Sequence, residues 1–135
     1  MQAIMVQIAN KQWTMEALHF ACALARNNNA RITLVRFMQV GHPSYLGNGI
    51  GNIAPTAQEY RDLREYTATA EDYGIEVEVC SIQCLSPLDV VVQAAEELGA
   101  SIVFAYLPES VIPYWRKFQR WTLERQLTGQ HCQLY

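Results

Sequence analysis

The feature that most constrains the fold is a short apolar run at residues 100–106, which a Leu-Pro-Glu sequence closes. Its apolar positions follow one another without alternation, which is typical of a parallel strand covered by helices on both faces. In an open parallel sheet, ligands bind beyond the carboxyl ends of the strands, where the winding direction reverses. We therefore expect a buried strand here and a functional site within residues 106–120.

The rest of the chain alternates between strand-length apolar runs and segments with helical spacing. Strands are predicted at residues 3–8, 31–38, 75–82 and from 130, and helices at residues 14–26, 56–73, 86–98 and 113–128. Strands and helices in strict alternation predict a parallel α/β sheet with helices on both faces. Residues 75–82 carry Glu76 and Glu78 on alternate positions, which is typical of an edge strand.

The second predicted helix follows a glycine-rich stretch at residues 41–55, which we interpret as a surface loop. Thr56 and Glu59 have the spacing of a capping box and predict where this helix begins. An inner face and an outer ion pair are also predicted for it. The inner face holds Tyr60, Leu63, Thr67 and Ala70, and the ion pair joins Arg61 to Glu65.

Composition limits the class of protein. The 135 residues are 50% hydrophobic, which suits one domain spanning residues 1–135. The net charge of −3 argues against a broadly basic nucleic-acid-binding surface. No run approaches the roughly 18 to 20 apolar residues of a membrane span, so we expect a soluble, cytoplasmic protein.

Neither the cysteines nor the histidines form a recognisable catalytic or metal-binding set. The thiols are expected to be reduced, and the three-residue gap between Cys80 and Cys84 does not match a zinc or redox motif. Cys84 is expected in the loop after the third strand, without a neighbouring base. The sequence therefore predicts no metal site and no enzymatic activity. The remaining residues of this group are Cys22, Cys132, His19, His42 and His131.

Several stretches together resemble the universal stress protein (UspA) family over nearly the whole chain. They are residues 17–25, 30–37, the GIEVEV sequence at 74–79, residues 94–103 and the HCQL sequence at 131–134. The resemblance implies a three-layer α/β/α sandwich of the adenine nucleotide alpha hydrolase-like type. Its five-stranded parallel sheet would have the order 3-2-1-4-5, which agrees with the edge character of residues 75–82.

The resemblance also implies where a nucleotide would bind, and there the chain departs from the family. ATP-binding members carry an Asp that ends strand one and a G-x2-G-x9-G-[ST] signature after strand four. Here Ala9 occupies the Asp position, and residues 100–128 contain no glycine. We therefore predict that ATP is not bound in the family manner and that no cofactor is required. The family positions for a ligand are Ala9, Asn10, Phe37, Tyr106, Gln119 and Arg120.

Two alternatives concern the segment at 113–128. Arg116, Lys117 and Arg120 could form an anion or adenine nucleotide site from side chains, or simply a solvated helix face. Trp115 and Trp121 could contact a protein partner, or simply pack in the core.

The resemblance finally implies a homodimer, because family members commonly dimerise near the last strand. The candidate interface residues are Cys132, Gln133, Leu134 and Tyr135. The predicted function is a non-catalytic domain that acts in stress response or regulation through dimerisation and partner interaction. The alternative is a nucleotide- or anion-binding domain with a rebuilt phosphate site.

Overall fold

The computed structural model describes residues 2–40, 55–106 and 133–134. Its elements are β1 (Gln2–Gln7), α1 (Lys11–Asn28), β2 (Ala30–Gln39), α2 (Ala57–Asp72), β3 (Val77–Cys84), α3 (Pro87–Leu98), β4 (Ala100–Phe104) and β5 (Gln133–Leu134). All strand pairs are parallel, and the sheet order is β3-β2-β1-β4-β5. This confirms the predicted five-stranded α/β fold. The predicted loop at 41–54 and the predicted helix at 113–128 lie outside the described residues.

Successive side chains of β1 lie on opposite faces of the sheet. Ile4 and Val6 pack with α1 and α2 on one face, while Met5 packs with α3 on the other. β1 is the middle strand and is buried from Ala3 to the end of the strand. The predicted strand at 100–106 is an interior neighbour of β1, and it ends earlier, at Phe104.

The edge position of β3 is confirmed, although its first residues differ from the prediction. Gly74 has a φ of 73°, and the Ile75 amide donates to the Ala70 carbonyl at 3.0 Å. Both residues thus complete the end of α2, and the strand begins at Val77. Val79 of this edge strand is 44% exposed.

α1 begins three residues earlier than predicted because Asn10 is its N-cap. The Asn10 side chain accepts a hydrogen bond from the Trp13 amide at 2.9 Å. At the other end α1 extends two residues past its predicted end, and Asn29 adopts the left-handed conformation, with a φ of 50°, that asparagine tolerates. The alanine-rich face of α1 is buried against the sheet.

The predicted inner face of α2 is confirmed at Ala70, which is fully buried, and at Leu63, which packs against the core, but not at Tyr60. Tyr60 is 51% exposed, whereas Tyr66 is 1% exposed and is the large buried side chain of this helix. Arg61 donates to Gln58, and Glu65 pairs with Lys11, so the predicted Arg61–Glu65 pair is not formed. None of the described helices is long and apolar enough to cross a membrane.

Candidate ligand-binding site

A pocket of about 340 Å³ lies at the carboxyl ends of β1 and β2, beside the first half of α2. Parallel strands direct ligands to this end of a sheet. The lining combines apolar side chains from the strand ends with polar side chains from α2. It consists of Ile8, Ala9, Arg36, Phe37, Glu59, Asp62, Leu63 and Tyr66.

The floor of the pocket is fixed by the hydroxyl of Thr14. The Ala9 amide donates to Thr14 Oγ1 at 2.9 Å, and Oγ1 donates to the Asn10 carbonyl at 2.8 Å. Thr14 is fully buried. The Ile8 amide also donates to the Val35 carbonyl at 2.8 Å. The turn between β1 and α1 is therefore held against both the helix and the neighbouring strand.

Tyr66 provides a neutral polar group at the base of the pocket. Burial raises the pKa of its phenol, and a hydrogen bond with Thr14 opposes that rise only in part. The phenol consequently keeps its proton at neutral pH. Through Thr14 it is connected to the β1–α1 turn.

An ion pair joins the sheet to the first turn of α2. Arg36 Nε donates to Glu59 Oε2 at 2.9 Å, and the Arg36 side chain is only 13% exposed. The Glu59 amide donates to Thr56 Oγ1 at 3.1 Å, so the predicted helix start at Thr56 is confirmed. The carboxylate of Glu59 faces Arg36 across the pocket wall.

A second set of polar contacts joins α2 to α1. Lys11 Nζ lies 2.7 Å from Glu65 Oε2 and 3.6 Å from Asp62 Oδ1, and Gln58 Nε2 donates to Asp62 at 2.9 Å. The hydrogen bond to Glu65 is the main cause of a raised Lys11 pKa. Because the buried residues of α2 are Tyr66 and Ala70, ionic and hydrogen-bonded contacts position the first half of this helix.

The structure brings together two of the predicted ligand positions, Ala9 and Phe37, in this pocket. The side chain of Asn10 caps the N-terminus of α1 and is engaged in that hydrogen bond. Tyr106 packs edge-on against Trp13, with ring centroids 5.3 Å apart, and its amide donates to Gln7 Oε1 at 2.9 Å. The other predicted positions are Gln133 and Leu134, which form β5, and Trp115, Arg116, Lys117, Gln119, Arg120, Trp121, Cys132 and Tyr135, which lie outside the described residues.

The sequence reasoning missed the polar wall formed by Arg36, Glu59 and Asp62. A usable signal was present in α2, where positions 59, 62, 63, 66 and 70 also follow helical spacing. Choosing Tyr66 instead of Tyr60 as the inner aromatic residue would have placed both carboxylates beside the apolar face. The hydrophobic pattern fits a helix that buries Tyr60 as well as one that buries Tyr66.

The described histidine and the cysteines Cys22 and Cys84 lie outside the pocket. His19 is exposed, and its Nδ1 lies 2.9 Å from the Tyr73 hydroxyl. Burial raises the pKa of the Cys22 thiol to about 11. Cys84 is 1% exposed and is the last residue of β3, so its predicted place in a loop was wrong. The described part of the chain contains no cluster of three or more metal-ligating side chains.

A second groove, of about 370 Å³, lies at the opposite end of the sheet. Arg26, Arg31 and Glu76 contribute its charged side chains. The carboxyl ends of α1 and α2 meet here, and their dipoles are unfavourable for an anion. Ligands bind at the carboxyl ends of the strands in an open parallel sheet, so the pocket at the ends of β1 and β2 is the better candidate.

No protein-family model matches the chain, and a search of curated proteins gives no match either. The chain is similar to several solved structures. A universal stress protein in complex with cAMP is 16% identical, with a TM-score of 0.66 over 99% of this chain and 94% of that chain. A protein of the universal stress protein family from Burkholderia pseudomallei is 21% identical, with a TM-score of 0.63 over 98% and 92%.

A universal stress protein family protein from Arabidopsis thaliana with AMP bound is 12% identical. Its TM-score is 0.56, over 100% of this chain and 90% of that chain. The sheet order, the helices on both faces and these similarities agree on one architecture. The chain therefore has the fold of the universal stress proteins.

Proposed function

We propose that this chain is a non-catalytic regulatory domain of the universal stress protein type that binds a small ligand between β1, β2 and α2. The observation that carries this proposal is the pocket of about 340 Å³ at the carboxyl ends of the central strands. Its size falls within the range of small-molecule sites, and it combines apolar walls with a few polar groups. Two structures of the same fold hold cAMP and AMP.

The proposed ligand is not ATP held in the family manner. Ala9 lines the pocket at the position where the resemblance implies an Asp, so it offers no carboxylate to a ribose. Residues 100–128 contain no glycine to let backbone amides approach a triphosphate. A binding domain of this kind would gain little affinity from the β- and γ-phosphates.

The absence of catalysis is proposed from the described reactive groups. Cys22 is fully buried with a raised thiol pKa, which disfavours the nucleophilic thiolate. His19 lies on the surface beside Tyr73 and does not line the pocket. Neither group is placed to activate a substrate there.

Thermal unfolding with millimolar adenosine, AMP, cAMP and ATP tests the proposal. We expect at least one of the first three to raise Tm, because a ligand that binds only the folded state stabilises it. ATP should give no larger shift than AMP and should remain intact by chromatography after incubation. A larger shift with ATP, or its hydrolysis, would contradict the proposal, and no shift with any ligand would remove the binding function.

Dimerisation at β5 is a second proposed property. β5 pairs with β4 on one side, and within the described residues no strand pairs with its other side. An unpaired edge is available to a second copy of the chain. Analytical ultracentrifugation should then show a concentration-dependent dimer, whereas a monomer at high concentration would count against it.

A further inference from the structure

The polar wall of the candidate pocket is acidic. Glu59 and Asp62 supply two carboxylates from α2, and Arg36 is the one cation among the described lining residues. The Nε of Arg36 is already bonded to Glu59 at 2.9 Å. The charges of these three residues sum to −1, so an incoming anion would have to compete with Glu59 for Arg36.

The charge of Asp62 is only partly compensated. Among the described residues, Lys11 is the cation nearest to Asp62, at 3.6 Å, but it makes its short contact of 2.7 Å with Glu65. The Asp62 side chain is 19% exposed, so water screens it less than it would screen a surface carboxylate. An ionised carboxylate accepts hydrogen bonds and cannot donate them. This wall therefore favours N–H and O–H donors over phosphate.

The remaining lining suits a flat ring. Ile8, Ala9, Phe37 and Leu63 add apolar surface to the lining beside the carboxylates. We infer that the pocket selects an uncharged heterocycle that carries N–H or O–H donors, of the size of a nucleoside, and disfavours the phosphorylated form of the same molecule. This inference rests on the proposed ligand-binding function and names the class of ligand.

Adenosine and AMP are a matched pair for the test because they differ only in the phosphate. Isothermal titration calorimetry at pH 7.5, where the phosphate is close to a dianion, gives a Kd for each. We expect adenosine to bind at least ten times more tightly than AMP. AMP binding as tightly as adenosine or more tightly would overturn the inference and would favour a phosphate site at Arg116, Lys117 and Arg120.

Two variants test whether the acidic wall is the cause. In the double variant Glu59→Gln, Asp62→Asn, the affinity ratio should fall to threefold or less, because both repelling charges are removed and Glu59 no longer competes with the phosphate for Arg36. Glu96→Gln, an exposed change of the same kind on α3, should leave the ratio unchanged. Circular dichroism checks that each variant is folded. If the double variant does not fold, the ratio of the adenosine and AMP affinities of the wild-type chain still tests the inferred ligand class.

The outcomes separate this inference from the proposed function. A folded double variant that keeps the wild-type ratio would overturn the role of the wall while leaving ligand binding intact. Failure of both adenosine and AMP to bind the wild-type chain would overturn the proposed function and the inference with it.

Discussion

Thr14 connects the pocket floor to the packed core. The Thr14 hydroxyl accepts a hydrogen bond from the Ala9 amide and donates one to the Asn10 carbonyl. Thr14 makes these hydrogen bonds with no part of its surface exposed to solvent. A buried amide that loses its acceptor is costly because water cannot replace the lost bond.

Thr14→Val should therefore destabilise the fold by about 1–3 kcal/mol and weaken ligand binding. Urea unfolding measures the first effect and calorimetry the second. Thr33→Val is the matched control, because Thr33 is 4% exposed and has no side-chain hydrogen bond among the described residues. The control should change stability by less than about 1 kcal/mol. Equal effects of the two substitutions would contradict the role of the Thr14 hydroxyl.

Cys22 should make stability depend on alkaline pH. Burial raises its pKa from 9.0 to about 11, so the folded state keeps the thiol proton after the unfolded state has lost it. The resulting stabilisation is complete below pH 9 and is lost as pH rises through about 11. The difference in unfolding free energy between the wild type and Cys22→Ala should shrink over this interval. A constant difference between pH 8 and 11 would show that the thiol is not shielded.

At the scale of elements, local signals predicted helix ends better than helix faces. Thr56 begins α2 and Gly99 follows the end of α3 where the sequence indicated, because each has a capping or conformational property of its own. α1 runs two residues past its predicted end at residue 26 before Asn29 caps it. The inner aromatic residue of α2 was misassigned because Tyr60 and Tyr66 are equally apolar, and only packing against the sheet decides between them. The polar wall of the pocket depended on that choice and was missed with it.

Gly99→Ala tests a helix end directly. Gly99 has a φ of 65°, and a Cβ added there would meet no atom within 4 Å, so the cost is that of the backbone conformation alone. We expect a loss of about 1 kcal/mol. Asn29→Gly, at a φ of 50°, should be neutral or slightly stabilising. Thermal unfolding measures both, and an unchanged Tm for Gly99→Ala would contradict this account.

At the scale of the whole molecule, alternation of strands and helices determined the architecture. The order β3-β2-β1-β4-β5 was implied by the resemblance to universal stress proteins, and the acidic edge strand agrees with it. The topology also predicts the end of the sheet at which the pocket lies. We expected the site within residues 106–120, whereas the pocket lies beside β1, β2 and α2. Its ligand does not follow from the topology, since side chains from α2 and the strand ends set the charge and shape.

The central claim is that the pocket between β1, β2 and α2 is the ligand site. Amide chemical shifts in a ¹⁵N-labelled sample titrated with adenosine test it most directly. We predict that the largest changes occur at Ile8, Ala9, Phe37 and Asp62, while Arg26 and Arg31 in the opposite groove remain unchanged. Changes confined to Arg26 and Arg31, or no changes at the four pocket residues at saturating adenosine, would contradict the claim.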